Sequence, residues 1–321
     1  MIVIYLLLIL LSVVLSDDTS TSSSSSSTSG GGSWIHLEGQ DYDRVCTDLN
    51  MCTLGGYSRS EVFDLVGDVI RSPDYEKDDV SQAICRRLVD KEKKVIFIIG
   101  DSYMRHVFQA MVLLISGNMI EGPLKRDHDC IQKCQGEYQF YKHACTAECL
   151  VLRHLLCGGL VQIHLIQHKP PSINYCGPGS ILLWSEGNHP AQGDRGHEYN
   201  NATYWIQKFN SLDYGICTYL KNAEVHECEL YWVSSHQRLN KLNPNEDAKI
   251  TKMYNYGMKK YFMDFQNCGS NTKYLDTYDF TQQLVKDLPN EAEASSPDGI
   301  HWGLSVNLIK SIMIVIDLIK D

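Results

Sequence analysis

From residue 94 onward the hydrophobic positions gather in short uninterrupted runs. Val95-Ile96-Phe97-Ile98-Ile99 follows a charged stretch and stops at Gly100. A run without polar alternation predicts a strand covered on both faces, as in a parallel sheet. Residues 161–166, 181–184 and 230–234 are further strand candidates, and 273–275 is a weaker fifth. Between them the period changes. Met104, Val107, Phe108, Met111, Leu114 and Ile115 recur at helical spacing, and Leu304, Leu308, Ile312, Val315 and Ile319 line one side of a final helix. This alternation predicts an α/β fold, a three-layer α/β/α sandwich on a mostly parallel sheet. Ligands in such sheets bind beyond the carboxyl ends of the strands, so those ends are where chemistry is sought.

The N-terminal part reads differently. Residues 2–15 are apolar apart from Tyr5 and Ser12, and Val14 and Ser16 suit signal-peptidase cleavage after Ser16. The run is shorter than the ~20 residues of a spanning helix, so residues 1–16 are expected to be a signal peptide. The positive n-region of a signal peptide is missing, and an uncleaved anchor is the alternative. Residues 17–33 are rich in Ser, Thr and Gly and read as a linker without a core. The globular domain is expected over 34–321. Asn201-Ala202-Thr203 is the N-glycosylation sequon.

Composition narrows the classes. With 43% hydrophobic and 21% charged residues, the 321-residue chain is globular rather than disordered. A net charge of −10 argues against nucleic acid as a partner. Twelve cysteines, an even number, point to an oxidising compartment: secretion or the secretory-pathway lumen. After signal cleavage no membrane association is expected. Walker A, Gly-x-Gly-x-x-Gly and His-Glu-x-x-His patterns are absent from the sequence, so no cofactor and no metal are expected.

Three strand-end segments carry candidate chemistry. Gly100-Asp101-Ser102 ends the first strand and puts a serine hydroxyl at a helix N-terminus, where N–H groups favour a developing anion. Asp and Ser are also ordinary N-caps. Glu186-Gly187-Asn188-His189-Pro190 follows the third strand; the Asn188 amide is an oxyanion donor there, or the segment is a plain polar turn. Asp298-Gly299-Ile300-His301 precedes the last helix, and an Asp three residues before a His suits a base and its orienting carboxylate. A second copy, Asp194-Arg195-Gly196-His197, competes for that role, but the later copy lies in a loop feeding the final helix.

In this order the three segments resemble the blocks of the SGNH (GDSL-like) hydrolase superfamily. Gly-Asp-Ser-x-x-Arg over residues 100–105, with Asp-x-x-His-Trp over 298–302, is similar to the PC-esterase and trichome birefringence-like branch. The resemblance spans about residues 94–319. It implies Ser102 as nucleophile, His301 as general base and Asp298 as the residue orienting the imidazole. The Ser102 backbone N–H and the Asn188 side chain would form the oxyanion hole, and Arg105 is a candidate for binding an acidic substrate group. The family's oxyanion glycine after the second strand is replaced by His168-Lys169-Pro170-Pro171. The implied activity is hydrolysis of acyl esters, O-acetyl groups on glycans in the first place. Acetyl transfer to polysaccharide, or a non-catalytic secreted binding module, is the alternative.

The cysteines add an insertion over about 118–158. Cys130-x3-Cys134 and Cys145-x3-Cys149 each place two cysteines on one helical face. An antiparallel helical hairpin would then pair Cys130 with Cys149 and Cys134 with Cys145. Zinc is the other reading, with His128 and His143 adjacent, but an oxidising compartment favours disulfides.

Overall fold

Side-chain alternation along β-strands explains how five short apolar runs assemble into one sheet buried on both sides. The computed structural model describes residues 34–36, 44–46, 80–118, 121–140, 145, 147–167, 169, 171–186, 203–204, 207, 217–218, 220, 228–239, 244–264, 272–287, 296 and 299–319. Two short strands, β1 (Trp34–His36) and β2 (Arg44–Cys46), pair antiparallel. The main sheet holds β3 (Val95–Gly100), β4 (Arg153–Leu156), β5 (Val161–Gln167), β6 (Ser180–Trp184), β7 (Cys228–Val233) and β8 (Thr272–Leu275) in the order β4-β5-β3-β6-β7-β8. All neighbours are parallel except β4, which runs antiparallel to β5 at one edge. In register, Ile99 lies beside Ile166 on one side and Trp184 on the other.

Alternate residues of each strand enter opposite cores. Ile96, Ile98, Ile163, Ile181, Leu183, Tyr231 and Val233 pack with α1 (Val80–Asp90), α2 (Ser102–Ser116) and α6 (Leu304–Ile319). Ile99, Leu182, Trp184, Leu230 and Trp232 point the other way. They meet α4 (Pro244–Lys259) and the π-helical turn Lys260–Asp264 that continues it. There Trp184 meets Trp232 edge-on at 5.0 Å between ring centroids, and Phe262 stacks on Trp232 at 5.2 Å. Helix α2 is buried at every position from Met104 to Ile115 except Arg105, as expected of a helix held between a sheet and other helices.

All five expected strands are present, within two residues at either end. Strand β4 was not expected: four residues, with Leu155 61% exposed, carry too little alternation to register as a strand. The insertion also departs from the expected hairpin. Among its described residues are a short helix, α3 (His128–Cys134), 3₁₀ turns at Gly136–Phe140 and Ala147–Cys149, and strand β4. Backbone bonds from Lys125 N–H to the Cys149 carbonyl (2.8 Å) and from Val151 N–H to the Pro123 carbonyl (2.8 Å) close it instead.

Cys130–Cys149 is bonded as expected. The expected inner partners, Cys134 and Cys145, are also brought side by side, with their buried thiols hydrogen-bonded to each other. The described residues Ala147–Cys149 form a 3₁₀ turn, so the two pairs come together without the expected second helix. Two further bonds link distant segments: Cys85–Cys157 ties α1 to the turn between β4 and β5, and Cys176–Cys228 ties the approach to β6 to the start of β7. Several disulfides fit an oxidising, secretory environment. Among the described residues no helix is long and apolar enough to cross a membrane.

Peptide mapping under non-reducing conditions should recover these three bonds. Cys85–Cys157 closes a separation of 72 residues, for which the chain-entropy model gives about 4 kcal/mol. Replacing both cysteines by serine should lower Tm on the order of 10 °C, read by calorimetry.

A second expected outcome concerns acid stability. Glu229 on β7 is half-buried; burial raises its pKa, but hydrogen bonds from Lys93, Tyr231 and Lys273 overcome this and bring it to about 2. A carboxylate lowered by folding adds stability above its ordinary value of 4.5, and that stability drains away as the pH falls through about 2. Glu229→Gln should therefore destabilise the protein at pH 6 and flatten the decline of Tm between pH 4.5 and 2.

Candidate active site

The sheet order puts β3 between β5 and β6, so the chain leaves β3 in opposite directions on its two sides. Such a switch point opens a crevice at the carboxyl ends of the strands, and Gly100-Asp101-Ser102 lies there. The turn is sterically narrow. At Gly100 (φ +153°) a Cβ would lie 2.1 Å from the Ser185 carbonyl oxygen and 2.5 Å from Met104 Cγ. Ser185 N–H in turn donates to the Ile99 carbonyl at 3.1 Å, extending the β3–β6 pairing to the strand ends. Only glycine lets the backbones approach this closely.

Asp101 is the N-cap of α2: its Oδ1 accepts from Tyr103 N–H at 2.8 Å, and its carbonyl accepts from Arg105 N–H at 3.0 Å. The cap fixes Ser102 as the first helical residue, with its hydroxyl in the first turn. Ser102 Oγ lies 3.0 Å from His301 Nε2, a contact spanning 199 residues of sequence. His301 is 8% exposed.

The loop carrying His301 is strapped in place. Gly299 N–H donates to the Ser296 carbonyl (2.9 Å), and Ser296 Oγ donates to the His301 carbonyl (2.8 Å). Leu239 N–H donates to the Gly299 carbonyl at 2.8 Å, and Gly299 takes a left-handed φ of +68° where a Cβ would meet the Leu239 carbonyl at 2.4 Å. The fully buried Trp302 donates from Nε1 to the Gln237 carbonyl at 2.9 Å. The segment after β7 is thus the anchor for the segment before α6.

Buried polar groups surround the pair. His106, one turn after Ser102, has its ring 5.0 Å from that of His301 and accepts at Nε2 from Arg105 at 3.2 Å. Burial, and then the Arg105 charge, hold His106 well below the usual imidazole range, so it is neutral. Arg105 faces His106 and the Cys134 and Cys145 thiols, with Asp101 nearby; burial lowers its pKa. Further along α2, Gln109 donates to the Gln139 carbonyl at 2.9 Å and ties the helix to the insertion. Tyr103 donates to the Ser234 carbonyl (2.8 Å) and pairs with Thr277 Oγ1 (2.7 Å), while Lys310 Nζ sits 4.5 Å from its ring centroid. Burial raises the Tyr103 phenol, so it stays protonated.

The structure therefore brings Ser102 and His301 together, with Arg105 on the adjacent turn. Asp298, Asn188, the sequon Asn201, and the competing Asp194 and His197 lie outside the described residues. Sequence reasoning missed Tyr103, His106, His236, Asn307 and Lys310. Two signals pointed to some of them: the polar run Ser234-Ser235-His236-Gln237 directly after an apolar strand, and one lysine inside the apolar stretch of α6. Among the described residues no group of three or more His, Cys, Asp or Glu is arranged to hold a metal ion. With a serine hydroxyl at a helix N-terminus hydrogen-bonded to a buried imidazole, the ring nitrogen is within reach of the hydroxyl proton.

No protein-family model, curated protein or solved structure matches the chain.

The close approach at Gly100 gives a direct check. Gly100→Ala should lower stability by ~1–3 kcal/mol, since the β3–β6 contact must open to admit a methyl group. That corresponds to a fall in Tm of roughly 3–10 °C, and any esterase activity should fall further than Tm does because Ser102 moves with the turn.

Proposed function

We propose that this chain is a secreted serine acyl-esterase of the SGNH type, with a three-layer α/β/α architecture, acting on O-acyl esters of glycans. The observation that carries the reading is the 3.0 Å contact between Ser102 Oγ and His301 Nε2 at the switch point of the sheet. Two independently placed elements, a helix N-terminus and a C-terminal loop, meet there. The block order along the chain is the second support.

In the proposed reaction Ser102 Oγ attacks the ester carbonyl carbon and its proton passes to His301 Nε2. The tetrahedral oxyanion is met by the Ser102 N–H at the start of α2, and on the resemblance the Asn188 amide would be a second donor. Collapse expels the alcohol, which takes the proton from His301 and leaves acyl-Ser102. Water then attacks the acyl group, again losing its proton to His301, and Ser102 is restored as the carboxylic acid departs. For Nε2 to accept, the ring proton must sit on Nδ1, which is the atom Asp298 would hold. Arg105 and the insertion would border the acyl-acceptor side. Transfer of the acyl group to a sugar hydroxyl uses the same first half and differs only in the attacking oxygen.

The test is hydrolysis of aryl acetates and acetylated glycans by purified secreted protein, alongside fluorophosphonate labelling. Ser102→Ala and His301→Ala should each lower turnover by at least ~10³-fold, with the double variant scarcely worse than the poorer single one. Asn188→Ala should cost on the order of 10²–10³. Full activity in Ser102→Ala would end the serine-esterase reading. A folded wild type that neither hydrolyses esters nor reacts with the probe would favour a binding module.

A further inference from the structure

Behind the Ser102–His301 pair lies a second, fully buried polar cluster that the reaction as written does not use. His236, at 1% exposure, follows β7, and Lys310, at 0%, lies in the middle of α6. His236 Nε2 is 2.7 Å from the Ile300 carbonyl oxygen, and Lys310 Nζ is 3.4 Å from His236 Nδ1. A carbonyl can only accept, so Nε2 carries the ring proton and Nδ1 is left as an acceptor, which Lys310 fills. Lys310 also donates to Asn307 Oδ1 at 2.8 Å and sits over the Tyr103 ring. His236 Nδ1, Asn307 Oδ1 and the face of the Tyr103 ring thus surround the Lys310 nitrogen. Asn307 donates in turn to the carbonyls of Trp302 and Gly303, on the other side of His301.

We propose that His236 is a positioning residue for His301. Its Nε2–H holds the Ile300 carbonyl, one residue before the base, while Lys310 holds the His236 ring in the only tautomer able to donate there. The Tyr103 ring, packed edge-on to His236 at 4.7 Å, connects the same cluster to the residue after Ser102. One imidazole therefore sets the distance between the nucleophile's helix and the base's loop. The charged and titratable groups near His236 include Lys310 from α6, His301 from the preceding loop, Arg238 from its own segment and the neutral His106 from α2; the first three and burial oppose its protonation, and the Ile300 carbonyl favours it. Tyr103, facing it from α2, stays protonated and uncharged. His236 accordingly stays neutral while His301 cycles its proton.

This proposal rests on the esterase reading for the consequence in catalysis, but its geometry is tested apart from activity. In ¹⁵N-histidine-labelled protein, with His236 assigned by its loss in a variant, the ring should show a protonated Nε2 and an unprotonated Nδ1 from pH 5 to 8. A protonated Nδ1, or a ring that charges in that range, would overturn it. His236→Asn ends at the level of Nδ1 and cannot reach Ile300, whereas His236→Gln places an amide N–H near the former Nε2. The His301 ring resonances should shift in the Asn variant and return toward wild type in the Gln variant, whatever the chain catalyses. On aryl acetate, with folding verified by circular dichroism, His236→Asn should lower kcat by about 10–100-fold with KM within about twofold. His236→Gln should recover to within about fivefold of wild type. Equal losses in both variants, or a loss confined to KM, would overturn the positioning role. Absence of wild-type turnover and probe labelling would refute the esterase reading, and the resonances would still decide the role of His236.

Discussion

The burial of β3 on both faces is the constraint from which the rest of the molecule follows. Ile96 and Ile98 enter one core and Phe97 and Ile99 face the other, so each face of the strand must be covered by other parts of the chain. Parallel neighbours on both sides, β5 and β6, satisfy its backbone, and the strand can end only where the chain finds room to turn. That room exists at Gly100 because it has no side chain to strike the Ser185 carbonyl. The next residue to offer a polar group caps a helix, and the one after it is Ser102. The location of the serine is thus a consequence of packing before it is a matter of chemistry.

His301 arrives by a different route. It is fixed by hydrogen bonds to the segment after β7, through Leu239 to Gly299 and Trp302 to Gln237, and by the descent of α6 against α2. Burying Lys310 in that helix disfavours its charge strongly, since desolvation lowers its pKa well below the ordinary ammonium value. Such a group persists only where its hydrogen bonds are met, and Asn307, His236 and the Tyr103 ring meet them. The polar cluster therefore fixes how α6 sits on the sheet more narrowly than apolar packing would.

The insertion follows neither logic. Among its described residues it has one helix of seven residues, and Cys130–Cys149 and a few backbone bonds hold it. Gln109 of α2 donates to the Gln139 carbonyl and His106 packs edge-on to Phe140, which places the insertion next to the serine's helix. Segments of this kind, held by covalent links and lacking a core of their own, suit a chain that folds in an oxidising compartment.

The sequence by itself determined the elements of the sheet and the two helices that matter most. Residues 95–99 have no alternation, and the apolar positions of 103–115 and 304–319 recur at helical spacing; such local signals need no knowledge of distant contacts. The pairing of Ser102 with His301 was legible as well, because fixed block order and strand-end position restrict which residues can meet. The way Cys134 meets Cys145 was not, since the expected helical hairpin gives way to a 3₁₀ turn at Ala147–Cys149 and the two thiols come together without it. Nor was the short edge strand β4, whose four residues gain strand geometry only from pairing with β5. His236, Lys310 and Tyr103 lie 74 and 207 residues apart along the chain in the two pairs that Lys310 makes. Nothing local marks a histidine or a lysine as a partner across such distances; the folding of β7, α2 and α6 into one core brought them together.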